Sequence, residues 1–441
     1  MKQHLQNNKY TYGLIIALLI AKFIFFELYG TFSEVPDSFS FNFLATEMLT
    51  NNFNEFLGDR SPGYPFILYL FNHNKIQVVF IQFLMGTITS VFWYKTLVRL
   101  NFTDKSSFFI SLFFSLYLQN FFYETFILIE TFALFLNSII LYILINNYFE
   151  KRNIFTEIIM SLLLAILFLV KPFFIFYPFL IFALFLIKNF SFKKLISVKL
   201  IIFILPIIAY YQWSSFVEKK VGYFEPTIYL GLNLAQNCLY FAEKGPKEYD
   251  NIIKPYVKYR EEMLRNGEDA SMAVWKVWAG QHLAPKYTKF ADVTHQFGKY
   301  AKATITNNLC EYFYYSITNS WFDFWKIFDM KPYMEFQDNT FNSVVSVINS
   351  IQMTVVLIFK FVFLLLSFYY LYDLIKNRKI NAVMILLAFI HATAILQALV
   401  VYGTNAKYAF PYEFFMIVVV FLFLNEKFNW FSKSQDISEL L

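Results

Sequence analysis

Two acidic residues of this chain lie at the ends of long apolar blocks, Asp37 just after the first block and Glu130 inside an apolar run. Asp37 lies in SEVPDSFSF, and Glu130 lies in YETFILIETFALFLNSIILYIL, a mostly apolar run. A charged group in such surroundings is costly unless it is paired, at an interface or in a wet cavity. A carboxylate placed in this way can act as a general base toward an acceptor hydroxyl. Asp37 and Glu130 are therefore candidate catalytic residues.

Three cations accompany these acids, each next to a proline-containing stretch. Arg60 begins Arg-Ser-Pro-Gly-Tyr-Pro, Lys171 precedes Pro172, and Lys407 lies in YGTNAKYAFPYEFF. Cations can hold a phosphate leaving group as charge develops on it. Arginine suits bidentate phosphate binding, whereas lysine acts as a point charge. The set is typical of a group-transfer reaction from a phosphate.

Each candidate also has a structural alternative. Asp37 follows Pro36 and could be the N-cap of a helix. Glu130 could pair with a neighbouring helix, and the three cations could be interface residues whose charged ends extend toward water.

The composition indicates a membrane protein. The chain has 441 residues, of which 58% are hydrophobic and only 15% charged. Its apolar residues come in blocks of about 17 to 25, the length that crosses a bilayer as a helix. We predict an all-α polytopic membrane protein with about ten transmembrane helices. They are predicted near residues 11–29, 76–98, 106–122, 129–147, 156–170, 172–187, 199–215, 351–373, 380–402 and 409–424. The first block lacks a small-residue cleavage site and is expected to be a retained helix.

The basic residues predict the orientation, because loops on the cytoplasmic side carry an excess of Lys and Arg. With the N-terminus inside, the short external loops hold only Arg60, Lys75, Lys171 and Lys407. The cytoplasmic side then collects Lys2, Lys9, Lys95, Arg99, Lys105, Lys151, Arg152, Lys188, Lys193, Lys194, Lys199, Lys376, Arg378, Lys379, Lys427 and Lys433. Both termini are expected in the cytoplasm, and the net charge of +6 reflects topology rather than binding to nucleic acid.

Two polar segments are then external, and they divide the chain into three parts. Residues 1–215 form an N-terminal transmembrane module that includes an external loop at 30–75. Residues 216–350 form a small, mainly helical external domain, and residues 351–441 the C-terminal transmembrane helices. In the loop, the stretch Asp37–Asn52 places Phe41, Leu44, Ala45, Met48 and Leu49 at helical spacing, with Glu47 elsewhere on the helix. This pattern predicts an amphipathic helix on the membrane surface.

The remaining polar residues give no cofactor site. Cys238 and Cys310 form no CxxC pair, so they are expected to be free thiols or, in an oxidising compartment, a disulfide. The histidines show no metal-ligand spacing, and we expect no metal. Lys22 and Lys360 lie inside predicted spans and are expected to pair with buried acids or to reach the interface.

The order of these motifs resembles the GT-C superfamily of membrane glycosyltransferases, in particular protein O-mannosyltransferases and lipid A aminoarabinose transferases. In that family an external loop with a catalytic Asp and a surface helix follows the first span, and an Arg-Pro-Pro-Gly-Tyr-Pro-like stretch leads to the second. Here these features correspond to Asp37, Arg60 and Tyr64. The family's acid at the fourth span corresponds to Glu130, although here Thr follows it rather than precedes it. Its basic-Pro pair corresponds to Lys171-Pro172, and its basic-Tyr-x-x-Pro stretch to Lys407-Tyr408-Ala409-Phe410-Pro411. Ser38 follows Asp37 where relatives often have an acid, which argues against a paired-acid metal site.

The resemblance implies a function. The donor would be a sugar on a polyprenyl phosphate at the outer face of a bacterial inner membrane, and the acceptor a hydroxyl of a glycan, lipid or protein. Asp37 would be the general base of an inverting transfer, and Glu130 would position the acceptor or the base. Arg60, Tyr64, Lys171, Lys407 and Tyr408 would bind substrate, with the three cations around the lipid phosphate.

Other functions remain open at this stage. An O-antigen-type polymerase or ligase would share the lipid-linked substrate, although its external loops are usually rich in Arg. A lipid-linked glycan transporter usually shows internal repeats, and none is evident in this sequence. A non-catalytic assembly subunit would tolerate loss of the acids.

Overall fold

The computed structural model describes residues 8–151, 153–188, 197–280, 282–283, 289–377, 380–403 and 405–431. Within these ranges the prediction of an all-α chain is confirmed, with 81% helix and no strand. Some residues on which the predicted orientation depends lie outside the described ranges. They are Lys2, Arg152, Lys193, Lys194, Arg378, Lys379 and Lys433.

The helices largely follow the predicted apolar blocks, and several more lie in residues 30–75 and 216–350. In chain order they are α1 (Lys9–Tyr29), α2 (Pro36–Thr50), α3 (Gly63–Leu70), α4 (Lys75–Arg99), α5 (Asp104–Ser115), α6 (Leu118–Thr125), α7 (Glu130–Ile145), α8 (Ile154–Val170), α9 (Tyr177–Lys188), α10 (Ile204–Val221), α11 (Tyr229–Asn237), α12 (Asp250–Asn266), α13 (Ala273–Ala279), α14 (Phe290–Asn307), α15 (Leu309–Tyr315), α16 (Phe322–Phe324), α17 (Asn339–Asn377), α18 (Ala382–Val400), α19 (Asn405–Ala409) and α20 (Glu413–Phe428). Short 3₁₀ turns lead into α9, α10 and α20.

Among the described residues, six helical segments are long and apolar enough to cross a bilayer. They are Lys9–Tyr29, Lys75–Arg99, Val198–Val221, Asn339–Asn377, Ala382–Val400 and Asn405–Phe428. Three further apolar segments are shorter: Glu130–Ile145, Ile154–Val170 and Pro172–Lys188. The prediction of membrane helices is confirmed, whereas the total of about ten spans stays a prediction.

The predicted span at 106–122 is interrupted between α5 and α6. Side chains replace the helical hydrogen bonds lost at the break: Asn120 Nδ2 donates to Phe114 O at 2.7 Å. Gln352 of α17 accepts from Leu118 N at 2.9 Å and donates to Leu116 O at 3.1 Å. Backbone groups away from water need such partners, so the break is stabilised by contacts that hydropathy does not report.

The two lysines inside predicted spans are buried and paired with acids from distant segments. Lys22 Nζ lies 2.8 Å from Glu124 Oε1, and Lys360 Nζ lies 2.7 Å from Glu413 Oε1. Gly86 makes room for the first pair, because a Cβ there would lie 1.7 Å from Glu124 Oε1. These contacts join α1 to α6 and α17 to α20, and they confirm that both lysines pair with buried acids.

One face of α1 is apolar and unburied. Ile16, Ile20, Phe23 and Ile24 are 51–62% exposed and recur at helical spacing. Soluble proteins rarely expose contiguous apolar surface of this kind. The face therefore fits contact with lipid.

Residues 216–350 contain a hydrophobic cluster of their own, built mainly from α11, α12 and α14. Beyond Asn308, the chain runs along α18: Tyr312 Oη donates to Leu399 O, and the Trp325 ring lies 5.5 Å from that of His391. Because His391 is near the middle of α18, residues 309–325 pack against roughly half the length of a membrane helix. Cys238 is buried in this segment and Cys310 is exposed, and both are free, so the disulfide alternative is not realised.

We expect the exposed side of residues 309–325 to lie against lipid. Phe313 and Ile317 are 50% and 54% exposed on a segment whose other side contacts α18. In a Cys310→Ser background, Phe313→Cys and Ile317→Cys should resist a membrane-impermeant maleimide in proteoliposomes and react after denaturation. Lys302→Cys, on the exposed side of α14, serves as the water-accessible control. Labelling of all three at one rate in vesicles would contradict this placement.

Candidate functional site

Asp37 is brought to Glu130 by a contact between the first external loop and the segment before α7. Ser33 N donates to Thr125 O, and Ile127 N donates to Ser33 O, both at 3.0 Å. This short parallel bridge, between Ser33 and Phe126, lies four residues before Asp37 and four residues before Glu130. The two candidate catalytic residues therefore lie side by side, each in the first turn of its helix.

Asp37 is the second residue of α2 and does not cap it, so the N-cap alternative is wrong. The helix begins at Pro36, whose fixed φ suits a first helical position. Val35 is the N-cap, and the Ser38 hydroxyl accepts a hydrogen bond from Val35 N at 3.0 Å. Because Ser38 provides this contact, the Asp37 carboxylate is available for other partners.

The buried side of α2 is mostly the predicted one. Phe41, Leu44 and Ala45 are buried, but Leu49 is 38% exposed. Glu47, expected away from the apolar side, is buried. The reason is that α2 packs between α3 and a cluster that includes α10, rather than lying on one flat surface.

Arg60 is positioned by a close approach between its loop and the end of α8. A Cβ on Gly63 would lie 2.6 Å from the backbone of Leu169 and Val170, so this approach requires glycine. Ser61 Oγ donates to Val170 O at 3.2 Å. The proline-rich stretch after Arg60 thus places it beside Lys171, the residue that follows α8.

Four of the predicted charges meet in one chain of contacts. Arg60 Nη2 lies 2.6 Å from Asp37 Oδ1, and Lys407 Nζ lies 3.2 Å from Asp37 Oδ2. Lys407 Nζ is also 3.4 Å from Glu130 Oε1, so it bridges the two acids. Asp37 keeps 46% of its side-chain surface exposed, against 11% for Lys407 and 5% for Glu130. Asp37 is therefore the more accessible of the two carboxylates.

Lys171 and Tyr408 complete the group. Lys171 Nζ lies 3.1 Å from the centroid of the Tyr408 ring, in a cation–π arrangement. Lys171 also interacts electrostatically with Glu130 and Lys407. It makes no ion pair with a carboxylate in the described residues. Burial lowers the pKa of Lys171 to about 7, so an anion that lies beside it would favour its charged form.

The pKa values of the two carboxyls that flank Arg60, those of Asp37 and Asp59, are shifted in opposite directions. Burial raises the pKa of Asp37, but the charges of Lys407 and Arg60 and their hydrogen bonds outweigh it, leaving that pKa well below its ordinary value. Burial raises the pKa of Asp59, and the charge of Arg60 only partly offsets it. Asp37 is therefore the more acidic carboxyl of the pair, and it is a weak base while both cations hold it.

A cavity of about 300 Å³, including the part open to solvent, lies beside these charges. Glu130, Lys171, Lys407 and Tyr408 line it. Its other lining residues are Ile129, Ala133, Phe173, Phe174, Thr393, Gln397 and Pro411. Pockets for small ligands are mostly apolar with a few convergent polar groups, and this cavity has that composition.

Tyr64 does not line the cavity. It is fully buried, its hydroxyl donates to Gln82 Oε1 at 2.8 Å, and its ring contacts Phe41 edge-on at 5.3 Å. Because Tyr64 is buried, it supports α2 and does not contact substrate. The predicted substrate-binding role of Tyr64 is corrected accordingly.

Sequence analysis missed three residues at the site. Tyr229, at the start of α11, lies 5.1 Å from the Arg60 guanidinium on the side of the external domain. Thr393 and Gln397 enter the cavity from α18. Thr393 and Gln397 are polar residues within a predicted apolar span, which could have indicated them. Because they are uncharged, they were not selected as candidates. Nothing in the sequence connects Tyr229 to Arg60.

In the described part of the chain, no group of three or more His, Cys, Asp or Glu side chains is arranged to hold a metal ion. Arg60, Lys171 and Lys407 place basic side chains at this site, and such side chains suit an anionic ligand. No protein-family model matches this chain, and no curated protein or solved structure is significantly similar to it. The function is therefore inferred from the residues and their geometry.

Proposed function

We propose that this chain is a GT-C-type glycosyltransferase that uses a polyprenyl-phosphate-linked sugar as its donor. The observation that supports this most is the bridge formed by Lys407 between a half-exposed carboxylate, Asp37, and a buried one, Glu130. With Arg60 and Lys171 beside it, the site combines a candidate base with three cations, two of which, Lys171 and Lys407, line a cavity. A phosphate leaving group and a hydroxyl acceptor need these two kinds of group.

The proposed reaction is one displacement at the anomeric carbon. The acceptor oxygen forms the new bond to that carbon while its proton passes to Asp37. The bond from the anomeric carbon to the phosphate oxygen breaks, and its electron pair stays on the phosphate. Arg60, Lys171 and Lys407 stabilise the developing charge. Attack opposite to the leaving group inverts the anomeric configuration.

The resting ion pairs suggest how the base is activated. The donor phosphate competes for Arg60 and Lys407, the two cations that lower the pKa of Asp37. As they turn to the phosphate, that pKa rises toward its ordinary range and Asp37 becomes a better proton acceptor. Binding of the donor thus prepares Asp37 for the acceptor hydroxyl.

The site is proposed to face the outside of a bacterial inner membrane, with both termini in the cytoplasm and about ten spans. The carrier's prenyl chain would remain in the bilayer while its phosphate reaches the cations. Residues 216–308 would cover the site, because Tyr229 lies over Arg60, and would bring the glycan, lipid or protein acceptor.

The function is tested by turnover of the purified protein in lipid. A panel of polyprenyl-phosphate sugars should yield free polyprenyl phosphate and a new glycoside or, without acceptor, slow release of sugar. Polyprenyl-pyrophosphate glycans serve as the comparison. Elongation or transfer of those glycans, with no turnover of any monophosphate donor, would exclude the proposal and favour a polymerase or ligase.

A further inference from the structure

Gln397 presents an unsatisfied hydrogen-bond acceptor in the cavity. It belongs to α18, is 1% exposed, and lines the cavity one helical turn beyond Thr393. Its Oε1 has no hydrogen-bond partner, whereas the Thr393 hydroxyl already donates to Tyr412 Oη at 2.9 Å. A buried acceptor without a partner is costly, and a hydrogen-bond donor that enters the cavity would satisfy it.

Glu130 adds a second such acceptor to the same cavity. Its Oε1 interacts with Lys407 at 3.4 Å, while its Oε2 is buried without a partner. The two free acceptors require hydrogen-bond donors from whatever occupies the space. An ionised phosphate has only acceptors, and a prenyl chain has neither, so neither part of the carrier satisfies them. The hydroxyl or amide N–H groups of a sugar do.

The remaining wall is apolar and partly aromatic. Ile129, Phe173 and Phe174 line it, and the C–H face of a sugar ring can pack on such surfaces while its hydroxyls face the polar side. The cavity thus has a cationic end at Lys407 and Lys171 and an acceptor-bearing side at Gln397 and Glu130. This division assigns different parts of one ligand to different parts of the site.

We propose that the donor's sugar occupies the cavity and that Gln397 determines which sugar is accepted. Gln397 Oε1 accepts a hydrogen bond from one hydroxyl or acylamino N–H of the sugar, and Glu130 Oε2 accepts from a second. The phosphate stays at the cationic end. This inference rests on the proposed transferase function and assigns the sugar-recognising part of its site.

The test compares wild type with Gln397→Met, which has similar size but no amide. Two probes are used: the fastest donor of the wild type with its single-deoxy analogues, and polyprenyl phosphate without sugar. Gln397→Met should lose about 5- to 100-fold in kcat/KM for the full donor. It should lose most of the wild type's discrimination against one deoxy analogue, and it should bind sugar-free polyprenyl phosphate as the wild type does.

Equal discrimination by wild type and Gln397→Met would overturn the inference, as would equal loss of affinity for the sugar donor and for polyprenyl phosphate in a folded variant. If the variant does not fold, the wild type alone tests the inference. Equal turnover of the full donor and of every single-deoxy analogue would mean that no sugar hydroxyl is recognised, and this would overturn the inference. Absence of wild-type turnover with every donor is a different result, which removes the proposed function itself.

Discussion

Asp37→Asn is expected to reduce sugar transfer by about 10²- to 10⁴-fold, the range typical of a lost general base, while the affinity for polyprenyl phosphate rises. The amide can still accept the hydrogen bond from Arg60, so the loop should keep its conformation. It cannot take the proton of the acceptor. Measurement of kcat with the best donor, and of the Kd for polyprenyl phosphate, separates the two effects.

The rise in affinity follows from the resting ion pairs. In the wild type the phosphate must displace Asp37 from Arg60 and Lys407, which lie 2.6 and 3.2 Å from its two oxygens. Partly exposed pairs are worth about 0.2–1 kcal/mol each, so removing the carboxylate, which ends both pairs, should tighten binding by a factor of about 2 to 30. A structural role for Asp37 would instead lower both affinity and rate.

Glu55→Gln is the matched control for this experiment. Glu55 is an exposed acid of the same external loop and lies outside the proposed site, so its amide variant should transfer at the wild-type rate. Full activity in Asp37→Asn at normal folding would remove Asp37 as the base. Equal losses in both variants would point to the loop as a whole rather than to one carboxylate.

The sequence predicted which charges belong to the site better than it predicted their partners. Six residues were selected because their charges and motifs are predicted to gather at one membrane face. The structure brings all six together: Asp37, Arg60, Glu130, Lys171, Lys407 and Tyr408. Their pairing could not be predicted, because it depends on tertiary contacts. The Ser33–Phe126 bridge and the approach of Gly63 to α8 are two of these contacts.

The uncharged residues of the site were not predicted from the sequence, and the reason is different. Gln397 and Thr393 lie on a helix that hydropathy identifies only as apolar, and a single amide in such a helix can be satisfied by a neighbour. Only the three-dimensional contacts show that Gln397 Oε1 has no such partner. In the same way, Tyr64 belongs to a motif associated with the site, but its burial under Phe41 appears only once α2 and α3 are packed.

Lys407→Met is expected to weaken donor binding by about 10- to 100-fold, since a hydrogen bond to a charged group is worth about 1.5–3 kcal/mol. It should also change the pH dependence. Lys407 is one of the two cations that lower the pKa of Asp37, so its removal raises that pKa. The base must be ionised to act, and the acid limb of kcat/KM, which reports the free enzyme, should therefore move to higher pH.

The lowered pKa of Asp37 also makes the stability of the folded protein depend on pH. A carboxylate whose pKa is lowered in the folded protein stabilises it above the ordinary carboxyl pKa, and this contribution is lost as the pH falls. Lys407→Met should accordingly lose less stability on acidification than the wild type does. Lys407→Arg keeps the charge and is the control, with an acid limb expected at the wild-type position. Coincident acid limbs in wild type and Lys407→Met would mean that Asp37 is not the titrating base, because loss of the Lys407 charge must raise the pKa of Asp37.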